Sequence, residues 1–140
     1  MPGFLFFGPK MRYTLLITAS VNNISAHRRA LIFADTLLHA KHTIHTIFFY
    51  GESAGIGLST RDLKNISTGS NTDWSTISLK GKTQLIICVA SALSQGVHDG
   101  TAESKSSMPV RNIAPEFKIG GLGSLVEAIT ESDRVLCFGG

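Results

Sequence analysis

Long apolar runs are missing from this sequence. No window reaches ~18 continuous apolar residues, which excludes a helical membrane span. The apolar tetrapeptide Phe4-Leu5-Phe6-Phe7 is short and lacks the basic flank and small-residue cleavage site of a signal peptide. Cysteine is just as scarce. Cys88 and Cys137 are too few for a disulfide framework, and no CxxC or Cys/His spacing suited to zinc is present, so reduced thiols in a cytoplasmic protein are expected. Charge of one sign is not concentrated anywhere. The 13 basic residues outnumber the 10 acidic ones to give +3, but they are scattered, which gives nucleic-acid binding no support. Acyl hydrolysis has none either, because there is no Gly-x-Ser-x-Gly elbow and no ordered Ser/His/Asp set.

What the chain does have is a globular composition. With 140 residues, 43% apolar and 16% charged, it fits one domain with a sizeable core. Met11 offers an alternative start, so residues 1–10 are read as an N-terminal extension, non-native or flexible, ahead of a single domain over 11–140.

The organising stretch runs from Leu85 to Gly96. Apolar residues lead into Cys88, and an alanine-rich segment closed by a glycine follows, which predicts strand, cysteine, helix. A thiol at the first turn of a helix meets unpaired N–H groups and ionises more readily than the ~8.5 of a free cysteine. Standing uncovered at the sheet rim, it can then act as a nucleophile or carry sulfur as a persulfide. The competing reading is a buried, inert side chain at a strand end, a common place for cysteine.

Taken in order, Arg12–Thr18 and Thr43–Tyr50 read as buried strands joined by a helix over Ala26–Ala40, capped by Asn23 or Ser25. This is a βαβ unit, which demands parallel pairing and a right-handed crossover. Gly51–Gly57 is a glycine-rich candidate binding loop without a Walker lysine. A short helix from Asn71 or Thr72 to Leu79, ending at Gly81, should turn Trp74, Ile77 and Leu79 inward, with Trp74 as a packing anchor. A third strand, Thr83–Cys88, precedes a helix over Val89–Gln95, and residues 97–108 read as a surface loop. Phe117-Lys118-Ile119 is a short strand. Gly120-Gly121-Leu122-Gly123 introduces a helix over Ser124–Ser132 whose buried face is Leu125, Val126, Ala128 and Ile129. Asp133–Phe138 is the last strand, with Cys137 in the core.

About five strands alternating with helices predict a three-layer α/β/α sandwich with a mostly parallel sheet in flavodoxin-like order. Ligands and chemistry gather at the carboxyl ends of such strands, where Cys88 and both glycine segments fall. His39, His42 and His45 are spaced by three, but they span a helix end, a turn and a strand, so their side chains should diverge rather than hold a metal. A Cys88–His98 pair is conceivable, because the helix between them could return the chain. The Gly120–Gly123 turn either cradles an anion or only supplies backbone angles. No metal or organic cofactor is expected.

Several segments together resemble one family. They are Ile87-Cys88-Val89-Ala90-Ser91-Ala92, Gly96-Val97, Asn112-Ile113, the run from Phe117 to Ala128, Ser132-Asp133-Arg134-Val135, and Phe48-Phe49-Tyr50 with Trp74. The pattern looks like the DsrE/TusD family, the cysteine-bearing subunits of bacterial sulfur-relay complexes, from Met11 to the C-terminus. The resemblance implies a sulfurtransferase with Cys88 as its catalytic residue, receiving sulfur as a persulfide and passing it to a partner's cysteine. It implies a hetero-oligomer with TusC/TusB-like or DsrF/DsrH-like subunits, a TusA-like donor and a TusE/DsrC-like acceptor, with no direct contact to nucleic acid or membrane. The sulfur would serve tRNA 2-thiouridine formation in the TusD branch and dissimilatory sulfur oxidation in the DsrE branch. Two rivals remain: a non-catalytic assembly subunit, and a nucleotide- or phosphate-binding module using the glycine turns.

Overall fold

The computed structural model describes residues 9–59, 73–100 and 111–140. Residues 1–8 of the expected extension and most of the expected surface loop lie outside these. Five strands, β1 (Arg12–Ile17), β2 (Thr43–Phe49), β3 (Gln84–Cys88), β4 (Phe117–Gly120) and β5 (Arg134–Phe138), form one sheet in which every pairing is parallel. The helices are α1 (Ile24–His39), α2 (Trp74–Gly81), α3 (Val89–Gln95) and α4 (Leu122–Thr130). The sandwich and the parallel sheet are as the sequence predicts.

The strand order is not. It is β4-β3-β2-β1-β5, whereas the flavodoxin-like order is 2-1-3-4-5. The physical difference is where the chain reverses direction across the sheet. Here the crossovers through α1, α2 and α3 all step the same way, and only the last one, through α4, runs back over the sheet to set β5 beside β1. Right-handed crossovers taken in opposite directions put their helices on opposite faces. Three helices therefore cover one face, and α4 alone covers the other.

Side-chain alternation along the strands bears this out. Leu15, Ile17, Ile47, Phe49, Leu85 and Ile87 point to the three-helix face and join Ala30, Leu31, Ala34 and Leu37 of α1, Trp74 and Ile77 of α2, and Ala92 of α3 in the main core. Phe49 sits at its centre, its ring edge-on to Trp74 and to Phe117, each with centroids 5.6 Å apart. The intervening residues Leu16, Phe48, Ile86 and Cys88 point the other way and form a small cluster closed by Leu125 of α4.

The helix ends follow from local chemistry. Asn23 caps α1 by accepting from Ala26 N at 3.1 Å, and Asp73 caps α2 by accepting from Thr76 N at 2.8 Å. Helix α3 ends at Gly96, whose φ of +72° is the left-handed conformation that glycine adopts without strain.

Some inward expectations fail for the same topological reason. Leu79 is exposed on α2, and on α4 only Ala128 is buried, while Leu122, Val126 and Ile129 face outward. A helix covering a sheet alone has no helical neighbours to bury its flanks. Cys137, expected in the core, is exposed, because β5 is an edge strand and Cys137 points to the α4 side.

Candidate functional site

In an open parallel sheet a crevice forms where adjacent strands send their following connections to opposite faces. Here that point lies between β3, which leads into α3, and β4, which leads into α4. The residues paired across it, at the carboxyl ends of the two strands, are Cys88 and Gly120. Gly120 is required by close approach: a Cβ there would stand 2.9 Å from Ile86 Cγ2 and 3.0 Å from Ser124 Oγ. The first residues of α4 are thereby drawn down beside the cysteine.

Cys88 itself is the N-cap residue of α3, extended in backbone, and its side chain makes no capping hydrogen bond. On the reactive reading the thiol should stand uncovered at the sheet rim. It does not: Cys88 is 2% exposed, enclosed by Leu16, Phe48, Ile86 and Leu125. The cause is again α4, whose Leu125 lies over this end of the sheet. Around the buried thiol the rim is open and apolar, with Tyr50, Val89, Leu93 and Leu122 all exposed.

Serine 91 is a residue that sequence reasoning passed over. Its hydroxyl, 7% exposed with its residue, accepts a hydrogen bond from Gly51 N at 2.8 Å and so ties α3 to the chain leaving β2. The two partners are 40 residues apart, so nothing local in the sequence marks the pair.

The other predicted site residues are not brought together. His98 follows α3 at the end opposite Cys88, and a seven-residue helix is about 10 Å long, so the two do not pair. Its backbone N–H donates to Asn112 Oδ1 at 2.6 Å, closing the chain after α3. Gly51–Gly57 is a 3₁₀ turn with Ser53 through Gly57 buried, and a side chain at Gly57 would run into Ile87, so this segment is packing rather than an open loop. His39, His42 and His45 diverge as expected, toward the Asp35 carbonyl, Met11 N and Thr46 Oγ1. Among the described residues no group of three or more His, Cys, Asp or Glu side chains could hold a metal. Also among them, no helix is long and apolar enough to cross a membrane.

Cys137 shares the sheet face of Cys88, but it lies three strands away, a distance of about 14 Å between strand axes. A disulfide needs Cα atoms within about 7 Å, so the second thiol of this chain cannot resolve the first.

The chain is similar to known proteins over most of its length. The chain is 33% identical over 132 residues to the sulfurtransferase TusD of Salmonella arizonae, covering 91% of this chain and 100% of that protein. It is 32% identical over 128 residues to the sulfurtransferase TusD homolog of Vibrio cholerae, covering 91% and 98%. Among solved structures, the ychN protein from E. coli shares the fold, with a TM-score of 0.61 at 14% identity over 91% of this chain and 98% of that one. The model of the DsrE/DsrF-like family matches residues 11–138, and the chain belongs to that family.

Proposed function

We propose that this chain is a sulfurtransferase of a sulfur relay, and that Cys88 is the residue that carries the sulfur. The observation that carries the reading is the position of Cys88, at the carboxyl end of β3, at the head of α3 and at the reversal point of the sheet, in a chain whose relatives are named sulfurtransferases. The Cys88 thiolate attacks the outer sulfur of a donor persulfide. A new S–S bond forms at Cys88, the donor's S–S bond breaks, and the donor leaves as a thiolate. In the second half, an acceptor thiolate attacks the outer sulfur on Cys88 and expels the Cys88 thiolate. The exchange is redox-neutral overall and needs no cofactor.

Because the relatives are named TusD, the proposed route is the one toward tRNA 2-thiouridine, with TusC/TusB-like companion subunits, a TusA-like donor and a TusE-like acceptor. Incubation of the purified chain with a persulfide donor, followed by intact mass spectrometry, tests the core of this. Wild type should gain one sulfur atom, mapped to Cys88, and Cys88→Ser should gain none while keeping its circular dichroism. Equal loading of Cys88→Ser, or loading confined to Cys137, would falsify the assignment.

One observation favours a second reading, a non-catalytic assembly subunit, and it is the burial of Cys88. The two readings differ in whether the thiol is ever reached. Alkylation of Cys88 in the native protein supports the carrier, and complete protection supports the assembly subunit.

A further inference from the structure

We propose that the first turn of α4 is a lid over Cys88, the helix being held by side-chain bonds at its far end and joined to the sheet at its near end only through the Gly121 link. The inference rests on the reading above in one respect, that a relay thiol must meet another protein's sulfur although it is buried here. The two ends of α4 are attached very differently. At the C-terminal end, Thr14 Oγ1 donates to the Ala128 carbonyl at 3.2 Å and lies 2.7 Å from Ser132 Oγ. There too, Arg12 Nη1 donates to the Glu131 carbonyl at 3.2 Å, and Arg12 and Asp133 exchange backbone-linked bonds of 2.8 and 2.7 Å.

Among the described residues the N-terminal end has no such side-chain ties and is joined to the sheet only through Gly121, which follows Gly120, the last residue of β4 paired with β3. Its N-cap is Gly121, which offers no side-chain bond, and the contact that covers the thiol is the partly buried Leu125. Two glycines of this turn, Gly121 and Gly123, are not demanded by space or by angle: a Cβ on either meets nothing within 4 Å, and neither has positive φ. Glycine where alanine fits costs helix order, which is what a turn that opens locally requires. Lifting this turn, Leu122 with it, while the anchored end stays in place exposes Cys88 at the crevice mouth, beside the exposed Val89 and Leu93 of α3.

The test is the rate of Cys88 alkylation by iodoacetamide in a Cys137→Ser background under native conditions. Leu125→Ala removes the cover and should speed labelling on the order of tenfold. Gly121→Ala with Gly123→Ala stiffens the turn and should slow it about threefold. Ile77→Val weakens the opposite face and should leave the rate unchanged. The lid is refuted if the glycine pair labels as fast as its parent, or if Ile77→Val accelerates labelling as much as Leu125→Ala, since access would then come through global unfolding. Should Leu125→Ala fail to fold, the glycine pair and Ile77→Val still decide. Alkylation needs no sulfur donor, so the lid can hold while persulfide loading fails. Loading at Cys88 with one alkylation rate in every variant would retain the carrier and remove the lid.

Discussion

The two faces of the sheet are built to different standards. The face under α1, α2 and α3 is a filled core, with Leu31, Ile56, Trp74, Ile77 and the inward strand residues essentially inaccessible to water. Under α4 the apolar cluster is only four sheet residues and one leucine, beside the buried Thr14 and Ala128, with Leu122, Val126, Ile129 and Val135 left in solvent at 42% exposure or more. The first face holds the fold, and the second holds the cysteine. An element that must admit a partner is drawn from the less stable part of a structure, because opening it must not unfold the rest.

That difference predicts unequal costs of truncation. Trp74 is 1% exposed and packed edge-on against Phe49. Trp74→Ala should destabilise the chain by about 3–5 kcal/mol, the range for large aromatic side chains removed from cores. Urea unfolding followed by circular dichroism measures it. A loss no larger than that of Leu125→Ala would mean that the two faces are equally packed.

The same contrast explains what was legible in the sequence. The strands from Arg12 and Thr43 and the helix over Val89–Gln95 stand where local pattern puts them, since apolar runs, caps and glycines are local signals, whereas the expected Gly120–Gly123 turn shrinks to the single residue Gly121 and α4 starts at Leu122 rather than Ser124. Cys88 at the strand-to-helix junction was legible on the same grounds. Strand order was not, because nothing near β4 records that the chain will turn back across three strands to reach the far side of β1. Everything that depends on that one reversal was hidden with it. The apolar residues of α4 read as a buried face, yet a lone helix on a sheet buries only Ala128 and part of Leu125. Cys137 read as core, yet β5 became an edge, and Cys88 read as uncovered, yet α4 came to lie above it.

A smaller effect is expected at the anchored end of α4. Thr14 is fully buried, and its hydroxyl bonds the Ala128 carbonyl and Ser132 across the gap between β1 and α4. Thr14→Val keeps the shape and removes the donor. The Ala128 carbonyl retains Ser132 Oγ at 2.7 Å, so no acceptor is stranded, and the loss should be about 1 kcal/mol. Hydrogen exchange should locate it: amides of residues 126–131 should exchange faster while those of β2 and β3 do not. Uniform acceleration across the chain would mean that α4 is an integral part of the core rather than a separately attached element.

The smallest effect on the isolated chain should come from the outer side of α4, where the physical consequence is elsewhere. Val126 is 62% exposed and falls on one helical stripe with Leu122 and Ile129, at spacings of four and three. A helix that is apolar both toward its sheet and away from it has the pattern of one covered on both sides. Val126→Ser should therefore change the stability of the chain by no more than about 0.5 kcal/mol, as for exposed positions in general. In the proposed complex with homologous subunits the same change should lower the fraction assembled, as read by analytical ultracentrifugation. A stable variant that assembles normally would place the companion subunits on another surface, and a strongly destabilised one would mean that α4 is packed as tightly as the opposite face.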